Sequence, residues 1–185
     1  MKLRIVLCGV VVLTALAAGC KLEKRIESNM PGRPGPPDWV MGVPQDTAEH
    51  MIFVGMALAE NVLDERTGRN RAMEDARDQI AASLTTNVVK DTMDIVKKKG
   101  AEIHGNDITD ASYWAQLKTM LDQALPGVRQ DDYYWEQWRI RSWFLAPGFT
   151  KYKCYIRVRM PREDYEKIRK VLVETAVSKA ASRVK

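Results

Sequence analysis

Cysteine, histidine and neighbouring carboxylates are the residues of this chain that could do chemistry, and Cys20 has the most informative surroundings. Leu16-Ala17-Ala18-Gly19 runs directly into it. Small side chains let an extended chain enter a narrow peptidase groove, and the Cys20 thiolate is the nucleophile that takes a diacylglycerol group as a thioether. Lys2 and Arg4 make a positive start, followed by an apolar run from Ile5 to Ala18 broken only by Cys8, Gly9 and Thr14. That run is shorter than the roughly 18–20 apolar residues that span a bilayer. Residues 1–19 are therefore expected to be a cleaved leader, with the mature chain starting at lipid-modified Cys20. Cleavage lowers the formal charge from +5 to +3 and leaves Cys154 as the one free thiol, so no intrachain disulfide is expected.

The other reactive groups lack partners at useful spacing. His50 and His104 lie far apart without a ligand pattern around them, which argues against zinc. Asp131 and Asp132 are adjacent in a strand-like stretch, where neighbours face opposite ways, so they are expected to make a poor acid–base pair. Asp91 and Asp94 can share a helix face, which solvation explains. The sequence has no Gly-x-Ser-x-Gly elbow, phosphate-binding glycine loop or His-Glu-x-x-His helix. No catalytic residue, cofactor or metal site is expected. Nor is nucleic acid an expected partner, because no basic block accompanies a recognisable module.

One concentration of residue types remains: Tyr133, Tyr134, Trp135, Trp138, Trp143, Phe144 and Phe149. It reads as core and hairpin packing, or as a binding surface formed by Trp135, Trp138, Arg139 and Arg141. Alternation sends Trp138 and Ile140 to one side and Trp135 and Arg139 to the other.

The elements that must position these residues come from periodicity. Lys21 to Pro37 is polar and then rich in proline and glycine, so residues 20–37 are expected to form the anchor and a solvated tether. At roughly 3 Å per residue this would hold the domain some tens of ångströms from the bilayer. Residues 38–185 suit one domain. A strand is expected at Met51 to Ala57, with Gly55 marking a close backbone approach. A helix capped by Thr67 or Asn70 follows, burying Ala72, Ala76, Ile80, Leu84, Val88 and Ile95 and ending near Lys97-Lys98-Lys99-Gly100. Within an inserted stretch of about 100–127, residues 101–109 are expected to form a loop and 110–125 a helix that buries Ala111, Trp114, Leu117, Leu121 and Ala124 or Leu125 and ends at Pro126-Gly127. Strands at Tyr133 to Trp143 and 151–160 come next, the second with Cys154 inward. Pro161 opens a last helix buried through Tyr165, Ile168, Leu172 and Ala176, with Glu163/Lys167 and Glu166/Lys170 as exposed pairs. The order predicts an α+β fold, a small antiparallel sheet with helices on one face.

Pro37-Asp38-Trp39-Val40, Phe53-Val54-Gly55, Ala72 with Asp75-Ala76-Arg77, Ile80-Ala81, Val88, Tyr155-Ile156-Arg157-Val158 and Pro161 together resemble the twenty-kilodalton lipoprotein family of bacterial envelopes, the LPP-20 type. A similar pattern occurs in the amino-terminal domain of flagellar assembly protein T. The resemblance covers most of residues 37–172, with the stretch 100–127 additional to it. It implies a small α+β lipoprotein and carries over no catalytic residue. The expected function is a lipid-anchored envelope protein that binds or scaffolds an envelope protein partner. The alternative is a cell-wall enzyme or an activator of a peptidoglycan-active enzyme. Lys21, in place of the aspartate of inner-membrane retention, makes the outer membrane the expected location.

Overall fold

A computed structural model describes residues 22–33, 35–42, 44–58, 64–100, 103–141 and 149–183. The expected leader, Cys20, and the connection containing Trp143 and Phe144 lie outside the described residues. Four antiparallel strands, β1 (Leu22–Ser28), β2 (His50–Ala57), β3 (Arg129–Arg141) and β4 (Phe149–Pro161), form one sheet in the order β1-β3-β4-β2. The helices are α1 (Asp38–Met41), α2 (Glu65–Lys98), α3 (Gly105–Ile108), α4 (Ala111–Ala124) and α5 (Arg162–Arg183). Among the described residues no helix is long and apolar enough to cross a membrane. The fold is α+β, as the order of elements predicts.

Strand β4 shows how the two faces arise. Cys154, Ile156, Val158 and Met160 are fully buried and alternate with Lys153, Tyr155, Arg157 and Arg159. The inward set meets α2 and α5 in the core, which also takes Phe53 and Ala57. Helix α2 offers that core Ala72, Ala76, Ile80, Leu84, Val88, Thr92 and Val96. The i,i+4 row is inclined to the helix axis, so Thr92 and Val96 continue it and the expected Ile95 falls to a half-buried position. Gly55 is where helix and sheet come closest: a Cβ there would lie 1.9 Å from the Ala72 carbonyl oxygen and 2.5 Å from the Ala76 nitrogen.

The start of α2 lies earlier than expected. Asp64 is its N-cap, accepting from the Thr67 N–H at 2.8 Å, and this bond holds the Asp64 carboxyl below its ordinary pKa. The end is as expected, with Lys97 and Lys98 in the last turn and Gly100 at φ +76°. On α5, Tyr165, Ile168, Leu172 and Ala176 are all buried. The helix begins at Arg162, Pro161 being the last residue of β4. Glu166 pairs with Arg169, which also reaches Asp91 on α2 at 2.7 Å.

The expected tether needs correction, because β1 occupies Leu22–Ser28. Its polar residues have no apolar period, yet they pair by backbone with β3, Leu22 opposite Arg141 and Lys24 opposite Arg139. Backbone hydrogen bonds and cross-strand ion pairs hold this edge strand, and hydrophobic patterning does not register them.

The opposite edge, β2, has side chains on its outward backbone groups. The Ile52 N–H donates to Asp46 at 2.9 Å and the Met56 N–H to Asp75 at 2.8 Å, while Gln79 donates to the Val54 carbonyl at 2.9 Å.

Candidate functional site

The four residues expected to form a partner surface do not share a face. Trp135 pairs with Cys154, on the helix-covered side. It is half-buried against the core and meets Tyr152 edge-on with centroids 5.6 Å apart. Arg139 points to the same side and is exposed. Trp138 lies on the open face, its indole N–H donating to Glu136 at 2.7 Å and its ring 3.8 Å from the Lys153 ammonium. Arg141 is placed by its backbone pairing with Leu22.

Around Trp138 the open face carries a closed polar network. Glu136, 4% exposed, also accepts from the Tyr134 hydroxyl at 2.6 Å and from Arg25 of β1 at 3.3 Å. Burial, helped by the Glu136 charge, pushes the Tyr134 phenol up to about 12. Glu23 takes Lys151 at 3.4 Å and Lys153 at 3.9 Å. The charges in this network satisfy one another and tie β1 to the sheet.

Asp131 and Asp132 correct an expectation. A bulge between Gln130 and Asp132 breaks the alternation. Both carboxylates therefore reach Arg157, Asp131 at 2.7 Å and Asp132 at 3.8 Å. Trp39 of α1 covers the same guanidinium at 5.4 Å from its ring centroid. Two carboxylates converging on one guanidinium form an ion-pair clasp between β3 and β4.

Cys154 is inward and fully buried, and burial pushes its thiol pKa up. The Tyr133 hydroxyl donates to its sulfur at 3.6 Å. A protonated, enclosed thiol is a poor nucleophile. His104 is the N-cap of α3, and the His50 N–H bonds Thr47. Among the described residues no group of three histidine, cysteine or acidic side chains is placed to hold a metal.

Helix α4 makes a different kind of site. Tyr113 and Leu117 are its buried residues, with the Tyr113 hydroxyl donating to Thr85 at 3.0 Å. Trp114, expected on the buried side, is 49% exposed. It overhangs a cleft of about 310 Å³ between α2 and α4, lined by Ile80, Leu117, Leu121, Leu125 and Met160 and rimmed by Arg77, Asp78, Lys118 and Asp122. An apolar concavity with mixed charges at its mouth and an exposed indole has the composition of a binding site. The sequence reading missed it because two stripes overlap on α4. Tyr113, Leu117, Met120 and Ala124 form one; Trp114, Leu117, Leu121 and Leu125 form the other. The legible signal was that excess apolar width, more than one core contact can use.

The motif residues that carry the resemblance turn out to hold elements together. Gly55 admits Ala72 and Ala76, Asp75 bonds the edge of β2, and Trp39 covers Arg157. Such residues specify an assembly of sheet and helix. Among curated proteins none matches the chain significantly. The family model of LPP20 lipoproteins matches residues 37–146, from the Pro37 motif through β3, a span that takes in the stretch 100–127 expected to be additional to the family. That span is more than half of the sequence and contains Trp39, Gly55, Ala72, Asp75 and Ala76, so the chain belongs to the LPP20 lipoprotein family, membrane-anchored proteins of the bacterial envelope.

Proposed function

We propose that this protein is held in the outer membrane by a lipid on Cys20 and acts there by binding another envelope protein, without catalysis, through the cleft between α2 and α4. The observation that carries the reading is Trp114, a large indole half exposed above an apolar concavity with charges of both signs at its rim. Indoles at such places are common binding hot spots. By contrast, the two tryptophans expected on a partner surface are engaged internally, Trp135 with the core and Trp138 with Glu136. A diacylglycerol group with a further acyl chain supplies location, since each buried methylene contributes about 0.8 kcal/mol.

Crosslinking of the full-length protein in native cells tests this. A photoreactive residue replacing Lys118 should capture one defined envelope protein. Trp114→Ala should weaken that association about 30-fold, the effect of a hot-spot residue, with the circular dichroism spectrum unchanged. Capture unaffected by Trp114→Ala would remove the cleft from the account. Turnover of cell-wall material by the purified domain, lost on replacing an acidic residue, would favour the enzymatic alternative.

A further inference from the structure

We infer that the end of the sheet formed by Leu22, Arg139 and Phe149 rests on the phospholipid headgroups of the membrane that holds the anchor, with Lys24 and Arg139 on lipid phosphates. The inference rests on the reading of Cys20 as the lipidated residue.

Its first support is the length of chain available. Strand β1 starts at Leu22, two residues beyond Cys20, a span of at most about 7 Å. Glu23 is opposite Ile140, and Ile140 is opposite Phe149. Two interstrand steps of about 4.8 Å therefore place Phe149 within about 20 Å of Cys20. Glu23 is also tied to Lys151 and Lys153, so β1 cannot lengthen the link without breaking ion pairs. The headgroup layer on each side of a bilayer is about 5–7 Å deep. An anchor this short brings the corner of the sheet to that layer.

The second support is charge. Lys24 and Arg139 are directly opposite each other and both exposed. Like charges at opposed positions destabilise a sheet, and among the described residues neither has an acidic partner. On β1 and β4 the basic residues other than Lys24 are ion-paired, namely Arg25, Lys151, Lys153, Arg157 and Arg159. On β3, Arg129, at the other end of the sheet and opposite Arg159, is, like Arg139, without an acidic partner among the described residues. A phosphate surface supplies the missing counter-charge. At the same end Phe149 is 45% exposed, an aromatic ring suited to the membrane interface.

The test uses the lipidated full-length protein, whose intact mass reports the lipid on Cys20. It is reconstituted into vesicles of phosphatidylethanolamine and phosphatidylglycerol with a polarity-sensitive dye on Phe149→Cys or on Glu163→Cys. The second site is exposed and lies beyond the far end of β4, about 40 Å away along the strand. The buried Cys154 does not compete for dye. Emission from the first site should shift to the blue and be quenched by headgroup spin labels; emission from the second should remain water-like. Neutralising Lys24→Gln and Arg139→Gln should lower the ratio of docked to undocked protein about fivefold per cation. Water-like emission at position 149 in correctly lipidated protein overturns the contact and leaves the anchor standing, whereas a mass without lipid overturns both. A blue shift that follows protein density in the vesicle, and not phosphatidylglycerol content, assigns the surface to a second copy and also overturns the inference.

Discussion

Gly55 is the residue on which the contact between sheet and helix depends. The atoms nearest a Cβ at that position are backbone atoms of α2, which cannot rotate away as a side chain would. Gly55→Ala is expected to cost about 3 kcal/mol or more, the upper range for overpacking, and urea unfolding would measure it. A cost below about 1 kcal/mol would mean that the helix can shift freely, contrary to this packing. Thr92 presents the reverse case. It is fully buried in the stripe of α2, and its hydroxyl has no partner among the described residues. Thr92→Val should therefore raise stability by about 1 kcal/mol in the same assay. A loss instead would show that the hydroxyl makes a bond in solution.

At the scale of elements, β1 is held by Glu136. Glu136→Ala would leave the Tyr134 hydroxyl, the Trp138 N–H and Arg25 without their common acceptor, at an expected cost of about 3 kcal/mol. Hydrogen exchange should show Leu22–Ser28 losing protection before β4 does. Equal loss across the sheet would mean that β1 and the core unfold as one unit. The same elements show what could be read from the sequence. The rows on α2 and α5 and the alternation of β4 were legible because each buries one apolar face at a single period. The strand β1 was not, because its stability lies in backbone pairing and in Arg25 and Glu23, which resemble any solvated charges in one dimension. Asp131 and Asp132 were misread because a bulge is a property of two strands together. On α4, Trp114 is expected in the place that Tyr113 takes, because a tyrosine is accommodated there only by Thr85 beside its hydroxyl, a partner from another helix. Of the candidate site, then, the sequence contained the residues but not their division among faces.

For the molecule as a whole, alkaline pH is the condition that separates its states. Burial pushes up the pKa of Tyr113, Tyr133, Tyr134, Tyr155 and Cys154. The folded form thus holds these protons more tightly than the unfolded chain does. For a raised pKa the stabilising contribution is complete below the unfolded value and disappears as pH rises through the folded one. Stability should therefore decline at high pH, with the part due to Tyr134 falling between 10 and about 12. Thermal melts across that window should show a shallower decline in Tyr134→Phe than in the parent. Identical slopes would mean that Tyr134 does not contribute to the titration.

The side chains bonded along β2 have a consequence for crowding. Proteins tethered to a surface meet their own copies in two dimensions, with shared orientation and little dilution. A bare strand edge under those conditions would template the next molecule, and the next, into a growing ribbon. Asp46, Asp75 and Gln79 occupy the groups such a ribbon would need, so the protein can cover a membrane densely and remain a population of separate molecules along that edge.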